Sequence, residues 1–163
     1  MLANIIQYSL SNFSLSMFIL AIVLAILNRF INRTPSFYEI LYRWVAFLAL
    51  GITGIYSFVM HGFFPAFTAA TIGWQTSPFQ FEIAVANLGF GIVAILSTRR
   101  NYEFRQAAII ANTIWLWGDA VGHAHQMSIA QNYSSGNAGT WFCMDILIPL
   151  VTIICLVKIK PHN

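Results

Sequence analysis

Apolar residues in this chain gather into five long stretches, separated by short segments rich in Arg, Pro, Gly, Ser and Asn. The stretches fall at about residues 10–28, 44–64, 79–98, 104–126 and 141–157. Each approaches the ~20 residues that an α-helix needs to cross a ~30 Å hydrocarbon layer. They are too long for strands, and lipid admits only helices or closed barrels, because no water is present to satisfy the backbone. The pattern predicts an all-α integral membrane bundle of five transmembrane helices, forming a single domain over residues 1–163. The opening MLANIIQYSL has no positive leader and no small-residue cleavage site, so the first span is expected to be retained.

Composition agrees with that pattern. The chain is 58% hydrophobic and only 8% charged, where a soluble domain carries about 25% charged residues. A pI near 9.1 would suit a nucleic-acid binder. The cations flank apolar spans instead, where they orient a membrane protein, so the expected partner is the lipid bilayer and not nucleic acid. Arg29, Arg33 and Arg43 bracket the first connection, Arg99, Arg100 and Arg105 the third, and Lys158 and Lys160 follow the last span. The second and fourth connections are uncharged. The excess of positive charge on cytoplasmic loops then puts the N-terminus outside and the C-terminus in the cytoplasm of a plasma (bacterial inner) membrane. An odd number of spans requires the same inversion. Trp74, Trp117, Tyr133 and Trp141 would sit near the outer interface.

Two helix starts on the outer side carry local signals. Ser77-Pro78-Phe79-Gln80 offers an N-cap, a proline for the first turn and a Gln to complete a capping box. Thr140 is placed to cap the fifth helix. Pro149 has no N–H, so the carbonyl of Asp145 loses its helical donor.

Inside these apolar stretches lie Glu82, Asp119 and Asp145, with no Lys or Arg on their side of the bilayer. A lone ionised carboxylate there is expensive. Asp119 and His123 are four apart on one helical face, with Asn112 and Gln126 on the same stripe and Gly122 beside it. Gly54, Ser57 and His61 share a face of the second span. Glu82, Ala86 and Gly89 share one of the third, and small residues beside polar ones suggest close helix approach. Gln80 and Asn87 occupy another face, suited to an interhelical hydrogen bond. Counted from the nearest cytoplasmic cation on each helix, His61, Glu82, Asp119, His123 and Asp145 stand ~20 to ~27 Å up at 1.5 Å per residue. Four helices thus deliver ionisable groups to one layer.

Carboxylates with imidazole suit a divalent metal ion such as zinc, iron or manganese, and a dication would neutralise charge that no side chain there can. The candidate ligands are Glu82, Asp119, His123, Asp145 and His61. The expected function is an outward-facing pocket for a metal ion or small polar ligand, with redox or hydrolytic catalysis as one use of the metal. A proton-coupled transporter or channel subunit is the alternative, and a bundle this small would then favour a homo-oligomer. A third reading is structural: protonated acids and His can hydrogen-bond helices together within a larger complex. His125 and His162 read as interface or solvent residues, and Tyr42 and Tyr56 as packing.

Cys143 and Cys155 are about 18 Å apart along one helix and cannot pair with each other. No phosphate-binding glycine loop or nucleophile elbow occurs, and nothing signals a nucleotide or haem. The stretches IGWQTSPFQFEIAVANLGFGI, WGDAVGH and NAGTWFCMDILIP, about half the chain, resemble a family of small prokaryotic multi-span inner-membrane proteins of unknown function. The GDxxGH element is the most specific part of the likeness. The resemblance implies that Glu82, Asp119, His123 and Asp145 stand at that family's characteristic motifs, and it supplies no reaction.

Overall fold

A computed structural model describes residues 2–160, and side chains from residue 4 onward. His162 lies outside the described residues. Among them every regular element is helical. Helix α1 covers Leu2–Ser11, α2 Phe13–Ile31, α3 Phe37–Trp44, α4 Thr53–Phe63, α5 Pro65–Ile72, α6 Phe79–Ser97, α7 Tyr102–Ala130, α8 Ser135–Ala138 and α9 Thr140–Ile159. A π-helical stretch, Val45–Ile52, joins α3 to α4 without a break. Four segments are long and apolar enough to cross a membrane: Phe13–Ile31, Phe37–Phe63, Phe79–Ser97 and Ser135–Ile159. The remaining long helix, α7, has 29 residues, about 43 Å at 1.5 Å per residue. Asn112, Asp119, His123, His125 and Gln126 make it more polar than the other four.

The long helices pack side by side around a core of Phe18, Tyr42, Val45, Leu48, Ile109, Met144, Ile148 and Leu156. The closest approach is between the second and third spans. A Cβ added at Gly54 would stand 2.7 Å from the Asn87 carbonyl and 2.9 Å from Gly91 Cα. Only hydrogen at Gly54 and Gly91 lets the two backbones touch, and small residues are the usual means of such contact in membranes. Gly89 instead meets nothing within 4 Å. The packed face of α6 is therefore Gln80, Ala84, Asn87 and Gly91, not the Glu82–Ala86–Gly89 face expected from the sequence.

Both expected caps are absent. Gln80 is buried and its side chain reaches His61 rather than turning back on its own helix. Thr140 is the first residue of α9, and its hydroxyl donates to Asn12 Oδ1 at 2.8 Å. In both cases a tertiary partner takes the side chain from the local one. The first span is shifted rather than shortened: α2 has 19 residues but starts three positions later than the apolar run at 10–28 suggests. The chain breaks at Asn12, and α1 stands as a separate helix. The break is held by Tyr56 Oη donating to the Leu10 carbonyl (3.0 Å) and Trp141 Nε1 to the Ser11 carbonyl (3.2 Å). Phe13 stacks on Tyr56 with centroids 4.0 Å apart, and Tyr56 stacks in turn against Trp141 at 6.3 Å.

At the opposite end of the bundle, Arg105 is buried rather than solvated. Its guanidinium pairs with Glu39 Oε2 at 2.7 Å, and its Nε donates to the Ser97 carbonyl at 3.2 Å. It lies 5.1 Å from the Tyr42 ring, whose hydroxyl donates to Ser97 Oγ at 2.8 Å. Glu39 Oε1 also pairs with Arg43 at 2.7 Å. Glu39 thus joins α3 to α7, and Arg105 joins α7 to the end of α6.

Candidate functional site

A cavity of about 1060 Å³ opens between α1, α4, α5, α6, α7 and α9. Its lining includes His61, Asp119, His123 and Asp145, but no Lys or Arg and not Glu82. Glu82 is exposed on the side of α6 turned from the bundle. The reason lies in the crossing at Gly54 and Gly91, which fixes the rotation of α6 and turns Glu82 away from Asn87 and Gln80. The proposed five-residue set therefore does not converge. Asp119, His123 and Asp145 do share one region, since α7 presents the first two one turn apart and α9 crosses beside them.

Of these three, His123 has a side-chain hydrogen bond that fixes its ring. Its Nδ1 lies 2.8 Å from Asn137 Oδ1. Asn137 is fully buried, and its amide Nδ2 donates to the carbonyls of Asn132 (2.8 Å) and His123 (3.3 Å). The amide orientation follows: Oδ1 must accept, so Nδ1–H of His123 donates. Nε2 is then the free imidazole position, and it faces Asp145 Oδ2 at 3.8 Å. Trp74 stacks on the imidazole at 6.1 Å between centroids and 25° between planes.

The loop segments make this arrangement possible. Gly73 ends α5 at φ 81°, a left-handed conformation that favours glycine. Asn132 Nδ2 donates to the Ile72 carbonyl at 2.9 Å. A Cβ on Gly136 would stand 2.9 Å from the Thr71 carbonyl. So α5 and the 132–139 loop are pressed together, and Asn137 is driven inward onto His123. Asn137 was not among the residues expected from the sequence. An Asn in a Ser- and Gly-rich loop reads as a turn former, and only the fold shows that it is buried.

His61 lines the same cavity, but its Nδ1 is bound to Gln80 Oε1. The Asn87 amide donates to the Ile83 carbonyl within its own helix, at 3.0 Å, rather than across helices as expected. Asp145 is buried in the second turn of α9. Pro149, also buried, leaves the Asp145 carbonyl without an intrahelical donor. Trp115 stacks on Phe90 at 5.2 Å and lines the cavity, and its buried indole N–H has no acceptor among the described residues. Gly118 and Gly122 also line the cavity, and a Cβ at either would meet nothing within 4 Å.

The donor set does not form a ready metal centre. Among the described residues no three His, Cys, Asp or Glu side chains come together as metal ligands. What the cavity offers is two carboxylates and one oriented imidazole at one end, with aromatic walls from Tyr56, Trp74, Phe90, Trp115 and Trp141. No curated protein and no solved structure matches the chain. The model described as a family of unknown function (DUF6790) matches residues 11–163; with all the helices from α2 to α9 inside that span, the chain belongs to that family.

Proposed function

We propose that the cavity binds a small polar ligand that carries positive charge, held by Asp119 and Asp145 and oriented by His123. The observation that carries this reading is the charge imbalance: two carboxylates line one cavity with no Lys or Arg among its lining residues. In an apolar surrounding, that imbalance is costly until a cation or a proton offsets it. Aromatic faces attract organic cations through their quadrupoles, and Tyr56, Trp74, Phe90, Trp115 and Trp141 are among the residues lining this cavity. The unpaired indole N–H of Trp115 would be satisfied by an acceptor oxygen on the same ligand. A divalent metal remains the competing occupant. It would need Asp119, Asp145 and His123 Nε2 to draw together, with water or ligand completing the shell.

The same reading sets α7 across the membrane as a fifth span, its polar stripe turned to the cavity, with the N-terminus and the cavity mouth outside. A reporter fused after Asn163 should then be cytoplasmic, and one inserted at Ser135 external. The opposite pattern in both fusions would sink this topology.

The binding test uses detergent-purified protein and a panel of small amines, amino alcohols, zwitterionic amino acids and divalent ions, read by thermal shift. At least one organic cation should stabilise wild type and not Asp119→Asn, which keeps the size of the side chain and removes its charge. Glu82→Gln, on the far face, is the control and should respond as wild type does. Stabilisation by zinc, iron or manganese alone, with stoichiometric metal in elemental analysis, would establish the metal reading instead. A wild type that responds to nothing on the panel would overturn both. Proton passage has the His123–Asp145 approach in its favour; an acid pulse on proteoliposomes, with Asp119→Asn as the blocked variant, separates it from simple binding.

A further inference from the structure

A second cavity, also of about 1060 Å³, lies at the arginine end of the bundle, between the end of α2, the Phe37–Phe63 helix and the end of α6. It shares no lining residue with the first. Its polar rim carries three guanidinium groups, Arg43, Arg99 and Arg100, and the amide of Asn32. Its wall is apolar and includes Phe47 and Leu96, both more than a third exposed on the outside of the bundle.

The charge inventory of this rim is one-sided. Among the described residues no carboxylate lines the cavity. The nearest acid to Arg43 is Glu39, which is already shared with Arg105. Arg99 and Arg100 form no ion pair among the described residues. Capping of the α6 carbonyls does not account for them either, since Arg105 takes the carbonyls of Ser97 and Thr98. Among the described residues, the Arg100 guanidinium lies over the Phe104 ring, 5.9 Å from its centroid.

We infer that this cavity is a binding site for the phosphate headgroup of an anionic phospholipid, whose acyl chains run along Phe47 and Leu96. Guanidinium groups match phosphate oxygens with paired, charge-assisted hydrogen bonds. Basic pockets between transmembrane helices are a recognised way to hold anionic headgroups. A free phosphate would use the same arginines but would gain nothing from the apolar wall. The exposed Phe47 and Leu96, continuous with that wall and with the lipid-facing side of two spans, favour the lipid. This inference is independent of what occupies the first cavity.

The test is native mass spectrometry of detergent-purified full-length protein titrated with phosphatidylglycerol, with phosphatidylcholine or with inorganic phosphate. Wild type should retain phosphatidylglycerol well above phosphatidylcholine. Each basic residue near an anionic lipid contributes about a five-fold factor in affinity, so Arg99→Gln/Arg100→Gln should lose roughly 25-fold. Arg99→Lys/Arg100→Lys keeps the charge but loses the paired guanidinium donors, so it should bind between wild type and the Gln variant, which guards against a loss caused by misfolding. Equal retention of the two lipids would reduce the site to an apolar groove and overturn the inference. So would competition by millimolar inorganic phosphate, which would mark a free-anion site, or a Gln variant that binds as wild type does.

Discussion

Replacing Asn137 with Ala should cost the fold more than any other single polar substitution near the first cavity. The side chain is fully buried and makes three hydrogen bonds: one accepted from His123 Nδ1 and two donated to backbone carbonyls. Each is worth about 1 kcal/mol net in a folded protein, so the truncation should cost about 3 kcal/mol. For a chain of this length each kcal/mol moves the midpoint by about 2–4 °C, so Tm should fall by about 6–12 °C. A second readout follows from the geometry. Wild-type His123, when neutral, should carry its proton on Nδ1, which nitrogen-15 spectra of His-labelled protein report directly, with His123→Gln giving the assignment. In Asn137→Ala the two tautomers should mix. Asn137→Asp keeps the acceptor and loses the two donated bonds, so it should destabilise while leaving the Nδ1–H form intact. A Tm within about 2 °C of wild type for Asn137→Ala, together with an unchanged His123 spectrum, would refute the argument that Asn137 positions the imidazole.

Gly54→Leu should destabilise by about 1–3 kcal/mol or more, because its new Cβ meets the backbone of Asn87 and Gly91 rather than a side chain that can move; chemical unfolding in mixed micelles measures it. Gly122→Leu should do the reverse: nothing lies within 4 Å of its Cβ, so the protein should remain folded, with about 0.5–1 kcal/mol gained in helix stability. Its thermal response to organic cations should nevertheless vanish, as the side chain fills the cavity. Arg105→Met strips Glu39 of one partner and uncaps the end of α6, which should cost about 3–5 kcal/mol. Adding Glu39→Gln to it should cost less than the sum of the two single changes, as unfolding of all four proteins in a double-mutant cycle would show.

The helical class and the positions of the apolar helices could be read from the sequence because a run of ~20 apolar residues has few other physical outcomes. The gathering of Asp119, His123 and Asp145 was legible too, since helical rise converts residue counts into depth. The rotation of a helix about its axis was not. In an apolar span, lipid and core look alike in composition, so the Glu82 and Gln80 faces could be told apart, but which of them packs inward could not be assigned until the Gly54–Gly91 contact was known. The Gln80 amide was correctly suited to a bond between helices, while the similar Asn87 satisfied itself locally. Arg105 read as one more topology cation, because the pairing that buries it comes from Glu39, 66 positions away. The break at Asn12 has no Pro or Gly to mark it, and it depends on Tyr56 and Trp141 from other helices.

The π-helical stretch between α3 and α4 links the two ends of the molecule in a way that neither end reveals. Thr53 N–H reaches back to the Leu48 carbonyl, five residues earlier. Each turn of that kind holds more residues than an α-turn, so each residue advances the helix by less than the roughly 100° of an α-helix. Over Val45–Ile52 the shortfall accumulates. It sets the angular phase of His61, beside the first cavity, relative to Glu39 and Arg43 beside the second. Inserting one further residue in Val45–Ile52 would swing one end against the other by up to about 100°. His61 would then leave Gln80, or Glu39 would leave Arg105, although neither pair had itself been changed. The spacing of this apolar run, buried except at Phe47 and Ile52, is therefore under tighter constraint than the chemistry of its buried Val, Ala and Leu residues. Conservative apolar substitutions at Val45 or Leu48 should be tolerated where insertions are not.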